Sequence, residues 1–85
     1  MGDEYNLRLD KFLKVSRIIK RRTVANQVSS QGRVQINDRV AKPGSEVKPG
    51  DVIGIQFGDR TRQYQVLAVN DNVSKGDAEQ MYREI

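Results

Sequence analysis

The sequence predicts an α+β fold, with two short N-terminal helices packed on one side of a small, mostly antiparallel, twisted sheet. Three observations carry this reading. Apolar residues recur at helical spacing up to Val28, apolar and polar residues alternate after Arg33, and turn dipeptides punctuate the second half of the chain. With 85 residues the chain makes one compact domain, because a body this small buries only about 60% of the surface its unfolded form exposes.

Taken in order, residues 1–6 show no periodicity and read as a loose arm, leaving residues 7–69 as the folded domain and 70–85 as a C-terminal extension. Leu9, Phe12 and Leu13 fall at i, i+3 and i+4, the spacing of one apolar helix face. Ile18 and Ile19 point away from that face at about 100° per residue, which implies a turn between Ser16 and Lys20. Helical spacing resumes with Val24, Ala25 and Val28, and Gly32 stands where a helix needs a left-handed C-terminal cap. In the run Arg33 to Asn37, Val34 and Ile36 alternate with polar neighbours as a strand, and Asn37-Asp38 turns the chain.

Pro43-Gly44 and Pro49-Gly50 follow as turns, Pro fixing φ and Gly accepting the positive φ of the next position. The best strand is Val52 to Phe57, with Ile53, Ile55 and Phe57 on one face. Gly58-Asp59 has the form of a two-residue hairpin loop, and Gln63 to Val69 returns as the partner strand. In the polar, net acidic extension Asp77 is placed to cap a final helical turn that lays Met81 or Tyr82 on the core.

Composition excludes most enzyme templates. There is no Cys and no His, which removes disulfides, the usual zinc ligands, thiol nucleophiles and the commonest general base. The apolar fraction of 36%, with no Trp, supports a modest core and little enclosed cavity. No catalytic residue, cofactor or metal site is expected. No stretch approaches the ~20 apolar residues of a membrane helix, so the expected location is the cytoplasm, with no membrane partner.

Charge is distributed unevenly. Between Arg8 and Arg22 there are seven cations (Arg8, Lys11, Lys14, Arg17, Lys20, Arg21, Arg22) and one acid, Asp10, so this segment carries +6 while the chain as a whole carries +4. The remainder is therefore −2. Such asymmetry is the footprint of a polyanion-binding face. Cations three apart on an exposed helix repel by roughly 0.2–0.5 kcal/mol per pair. Arg21 and Arg22 open the second helix, where the macrodipole makes a cation unfavourable by about 0.3–1 kcal/mol. Such a helix end becomes a strong phosphate site once an anion arrives. Ser16, Thr23 and Asn26 can donate hydrogen bonds to phosphate or ribose, although helix capping explains Thr23 equally well. Asp10, a lone carboxylate among cations, reads as a capping or arginine-pairing group. Tyr5, Tyr64 and Tyr82 are scattered and read as packing residues, not as a stacking platform.

The run Arg8-Leu9-Asp10-Lys11-Phe12-Leu13, followed by Ala25, Val28, Gly32, Val34, Asn37 and Lys48-Pro49-Gly50-Asp51 up to Phe57, resembles the S-four domain, an RNA-binding module. The resemblance implies the S-four-like (alpha-L) RNA-binding fold. Many S-four domains carry Ser near the start of the second helix where this chain has Lys20, which leaves the start of that helix open. The run Arg8 to Thr23, the second hairpin strand and Met81-Tyr82 are similar to the ribosome-associated quality control P (RqcP) and heat-shock protein fifteen family. That likeness implies binding to stalled large ribosomal subunits that carry peptidyl-tRNA. The implied partners are large-subunit rRNA, tRNA and the tailing factor that recruits alanine tRNA; the chain itself is expected to be a monomer. On the family's pattern the RNA face uses Arg8, Arg17, Lys20, Arg21 and Arg22. Two other readings compete: a detached RNA-binding domain of a pseudouridine synthase or tRNA synthetase, and a protein-only adaptor.

Overall fold

The computed structural model describes residues 7–69, 78 and 80–85. In chain order the elements are strand β1 (Leu7–Arg8), helices α1 (Leu9–Val15) and α2 (Arg22–Ser30), then strands β2 (Val34–Ile36), β3 (Arg39–Val40), β4 (Glu46–Val47), β5 (Val52–Phe57), β6 (Arg60–Val66) and β7 (Tyr82–Glu84). Five strands make one sheet in the order β3-β2-β5-β6-β7, and β1 pairs with β4 as a separate ribbon. All of these pairings are antiparallel. The expected α+β architecture is present. The loose arm 1–6 and the Asp77 cap lie outside the described residues.

Apolar periodicity dictates the core. Leu9, Phe12 and Leu13 of α1 are fully buried and form one cluster with Ala25 of α2, Val34, Val47, Ile53 and Ile55. Ile19 reaches the same cluster from the turn after α1. On α2 the buried face is Ala25, Val28 and Ser29, not the expected Val24, which is exposed. Ser29 tolerates burial because its hydroxyl donates to the Ala25 carbonyl at 2.7 Å. Gly32, at φ +77°, ends α2 in a Schellman arrangement: Gly32 N–H donates to Ser29 O at 3.2 Å and Arg33 N–H to Val28 O at 3.2 Å.

The turns are mostly where the sequence places them. Asn37 and Asp38 both take positive φ (53° and 68°), the form of a tight hairpin turn that joins β2 to β3. Asp51, almost fully buried, accepts from Asn37 Nδ2 at 3.1 Å and from Lys48 N–H at 3.0 Å, while Val52 N–H donates to Asn37 Oδ1 at 3.0 Å. These bonds fasten that turn to the start of β5. Gly50 has the expected positive φ of 95° but Gly44 does not. The Pro43-Gly44 turn is instead closed by Ser45, whose N–H donates to Lys42 O at 2.9 Å and whose hydroxyl accepts from Lys42 N–H at 2.9 Å.

Two expectations for the second half of the chain need correction, the bounds of the return strand and the form of the Tyr82 segment. The Gly58-Asp59 loop brings Phe57 directly opposite Arg60, so the return strand runs Arg60–Val66 and not Gln63 to Val69. Phe57 shares a face with the buried Ile53 and Ile55 but is 41% exposed, because the hairpin tip extends past the core. Tyr82–Glu84 is an edge strand on β6, not part of a helical turn. Its neighbour Met81 is buried as expected, and Tyr64 and Tyr82 pack edge to face with ring centroids 5.4 Å apart.

Candidate nucleic-acid interface

The basic segment spans the end of β1, all of α1, the connecting turn and the first residue of α2. Arg8 is extended and stands as the N-cap of α1. The backbone of α1 is received by the loop before β4: Leu9 N–H donates to Ser45 O at 2.7 Å and Asp10 N–H to Pro43 O at 3.1 Å. Only Lys11 and Lys14 are on the helix, so the three-residue cation spacing does not make one continuous helical stripe. Lys14 is exposed and Lys11 half-buried.

The turn that ends α1 carries an uncommon backbone conformation. Arg17 has φ 64°, the left-handed region that a helix C-terminus reserves for Gly. The fold determines it through Arg17 N–H to Lys14 O at 3.1 Å and Ile19 N–H to Leu13 O at 3.0 Å. Ser16 is fully buried; its hydroxyl donates to Leu13 O at 3.3 Å and accepts from Ile18 N–H at 3.5 Å. Ser16 therefore braces the turn from inside and is withdrawn as a donor to RNA. Arg17, Lys20 and Arg21 all project from this turn as exposed residues.

A non-Gly side chain in the left-handed region is disfavoured by roughly 1–2 kcal/mol. Arg17→Gly is accordingly expected to raise thermal stability while weakening RNA binding, two effects of opposite sign from one substitution. Thermal melts and RNA titrations of that variant check this, and unchanged RNA affinity would remove Arg17 from the interface.

Asp10 organises the other half of the interface. It is 2% exposed, and Arg8 grips it in a fork, Nε to Oδ1 at 3.2 Å and Nη2 to Oδ2 at 3.3 Å. Arg22 Nη2 lies 3.7 Å from Oδ1, and Asn26 Nδ2 donates to Oδ2 at 3.3 Å. One carboxylate thus ties the entry of α1 to the first turns of α2, the arginine-pairing role the sequence suggests. Two half-exposed guanidiniums share it, so the cluster keeps net positive charge on its outer side. The contact also offsets the macrodipole penalty at Arg22, since an exposed pair contributes about 0–1 kcal/mol against about 0.3–1 kcal/mol.

Helix α2 begins at Arg22 with Arg21 as N-cap, and no side chain caps it. Thr23 is therefore a residue of the first turn and not a cap. Asp10, Arg22, Thr23, Asn26 and Gln27 line an open depression of about 430 Å³ beside that helix end. Arg22, Thr23 and Asn26 meet here and Arg8 joins them through Asp10, while Lys14, Arg17, Lys20 and Arg21 lie on the end of α1 and the turn before α2. The Asn26 amide, read in the sequence only as a donor to RNA, also positions Asp10. That link spans sixteen residues and leaves no local signal in the sequence.

Two helices on an antiparallel sheet, with a cationic turn and helix end between them, define a class of small RNA-binding module, and comparison with known proteins agrees. The family profile of the S4 domain matches residues 7–53. The chain is 51% identical over 76 residues to the RQC P-site tRNA stabilizing factor of Bacillus subtilis, covering 89% of this chain and 88% of that protein. It is 47% identical over 79 residues to the protein of the same name from Streptococcus pneumoniae, covering 93% and 90%. The trimeric structure of heat shock protein 15 from Vibrio cholerae superposes with a TM-score of 0.84 at 30% identity, over 95% of this chain and 83% of that one. The chain belongs to the S4 domain family and, within it, to the family of the RQC P-site tRNA stabilizing factors.

Proposed function

We propose that this chain is a non-catalytic RNA-binding protein of ribosome-associated quality control. It holds tRNA in the P site of stalled large ribosomal subunits by gripping phosphates of the tRNA and of large-subunit rRNA. The observation that carries this reading is the cation set Lys14, Arg17, Lys20 and Arg21, exposed around one turn and adjoining the Arg8–Asp10–Arg22 cluster. Arg17 strengthens it, because an unfavourable backbone conformation retained with a large cation is the kind of local strain that collects at functional sites.

Within this reading Arg8, Lys11, Lys14, Arg17, Lys20, Arg21 and Arg22 supply charge, and Thr23 and Asn26 supply hydrogen bonds at the helix end. By keeping peptidyl-tRNA in place the protein supports alanine tailing of the stalled nascent chain, alongside the factor that recruits alanine tRNA. It acts in the cytoplasm as a monomer. No helix among the described residues is long and apolar enough to cross a membrane. The relatives described above carry no enzyme's name and are matched over nearly their full length. The reading as a detached domain of a pseudouridine synthase has no observation in its favour.

Recognition is by shape more than by base identity, since a basic helical face cannot enter the deep, narrow major groove of A-form RNA. The test is co-sedimentation with large subunits that do or do not carry peptidyl-tRNA, together with RNA titrations across salt. Preference for tRNA-bearing subunits and a log–log salt slope of roughly −3.5 to −4.5, for ~5 neutralised phosphates, are expected. A slope near zero, or equal affinity for an unstructured strand of the same length, would overturn the reading.

A further inference from the structure

The hairpin β5–β6 carries a feature that the basic segment does not explain. Across this pair Ile53 opposes Tyr64, Ile55 opposes Arg62 and Phe57 opposes Arg60, and directly opposed residues share a face of the sheet. Ile53 and Ile55 are buried in the core beneath the helices. Register therefore puts Phe57, Arg60 and Arg62 on the helix side of the sheet, at the end where the helices no longer cover it. Ile18 approaches from the α1–α2 turn. The five residues Ile18, Phe57, Arg60, Arg62 and Tyr64 line one cleft of about 340 Å³.

The chemistry of this cleft is mixed in a specific way. Its apolar part holds a half-exposed aromatic ring, Phe57 at 41%, and its rim holds two arginines. Arg60 is exposed. Arg62 lies 3.8 Å from Glu84, both side chains about half exposed, and a pair of that kind contributes little, so its guanidinium can exchange Glu84 for a phosphate. Tyr64 is held by Tyr82 and forms a fixed wall. Ile18 belongs to the α1–α2 turn that also carries the exposed Arg17, Lys20 and Arg21, so the cleft adjoins the basic turn. Phe57 to Tyr64 lies beyond the stretch matched by the S4 profile, which ends at residue 53.

We propose that the cleft between the α1–α2 turn and the β5–β6 hairpin is a second RNA contact, which takes one unpaired base against the ring of Phe57 while Arg60 and Arg62 hold the flanking phosphates. Charge complementarity and the adjoining basic turn select RNA as the occupant, and a ring beside arginines is the combination that stacks a base and neutralises its backbone. This contact rests on the RNA-binding reading above and adds to it a preference for RNA with an unstacked nucleotide.

The experiment measures affinity of the full chain for two synthetic hairpin RNAs of equal phosphate number, one fully paired in its stem and one with a single-nucleotide bulge. Phe57→Leu keeps an apolar side chain but removes the stacking face. It is expected to weaken binding to the bulged RNA by roughly 5- to 150-fold, the equivalent of one base–aromatic stack, with little change for the paired one. Arg60→Gln with Arg62→Gln should weaken the bulged complex and lower its salt slope by about 1.4–1.8. Melting curves establish that both variants fold. If Phe57→Leu affects both RNAs equally or neither, the cleft proposal fails. The wider reading stands in that case provided the Arg17, Lys20 and Arg21 variant described below still loses RNA. If Phe57→Leu impairs ribosome association but leaves both hairpin RNAs unaffected, the occupant is a protein and the proposal is overturned.

Discussion

Replacing Arg17, Lys20 and Arg21 together by Gln is expected to weaken binding to large ribosomal subunits by roughly 100- to 500-fold at 0.1 M salt, the effect of losing three phosphate contacts. These three are the appropriate cations to remove because all are exposed and none of them takes part in the ion pairs seen among the described residues. Arg8 and Arg22 serve less well, since both contact the buried Asp10 and their loss would mix binding with folding. Gln retains the length and hydrogen-bonding capacity of the side chains while removing charge. The salt slope should fall by about 2–3 alongside the affinity, and thermal stability should stay within about 0.5 kcal/mol of the parent, as for other surface changes. Co-sedimentation at several salt concentrations measures both quantities. Full retention of ribosome binding by this variant would remove the turn from the interface.

The parts of the molecule legible in the sequence are those governed by local rules. Leu9, Phe12 and Leu13 announce α1 because three buried residues at one spacing leave little else possible. Gly32, Gly50 and the Asn37-Asp38 pair take the positive φ values their residue types predict. The cation cluster shows in the order of residues alone, as charge. What stays hidden depends on pairing at a distance. Strands β1 and β4 have two residues each, too few to show alternation, and β7 exists only because β6 offers it an edge.

The same limit applies within the site. The three-residue repeat of the cations says nothing of their arrangement in space: the turn expected between Ser16 and Lys20 spreads them over a helix, a turn and a second helix end. Nothing local marks Arg17 for a left-handed backbone, since Gly is the residue that position favours. Ser16 has the composition of a surface donor, yet its hydroxyl is consumed by Leu13 and Ile18. Arg60 and Arg62 escape notice for a different reason. Their face follows from the register across Gly58-Asp59, and a return strand started at Gln63 omits both residues.

Phe12→Ala is expected to lower stability by about 3–5 kcal/mol, the largest effect of any single substitution considered. Phe12 is the largest of the fully buried side chains, and it sits on α1, the element that packs on α2 and joins the cluster reaching the sheet. A domain of this size has a total stability on the order of 5–10 kcal/mol, so the variant loses much of it and melts far earlier. It will also lose ribosome binding, but only because Asp10 and the turn after Val15 no longer hold the cations in place. Phe12→Leu separates the two causes: it keeps an apolar side chain at the site and should cost less than the truncation, about 1–3 kcal/mol for imperfect packing. Below its melting temperature this variant should bind ribosomes as the parent does. Melting curves and co-sedimentation at a common temperature provide the comparison. If Phe12→Leu remains folded yet loses binding, precise placement of the cations by α1 matters more than their charge. If Phe12→Ala melts with the parent, α1 does not pack on the core through Phe12.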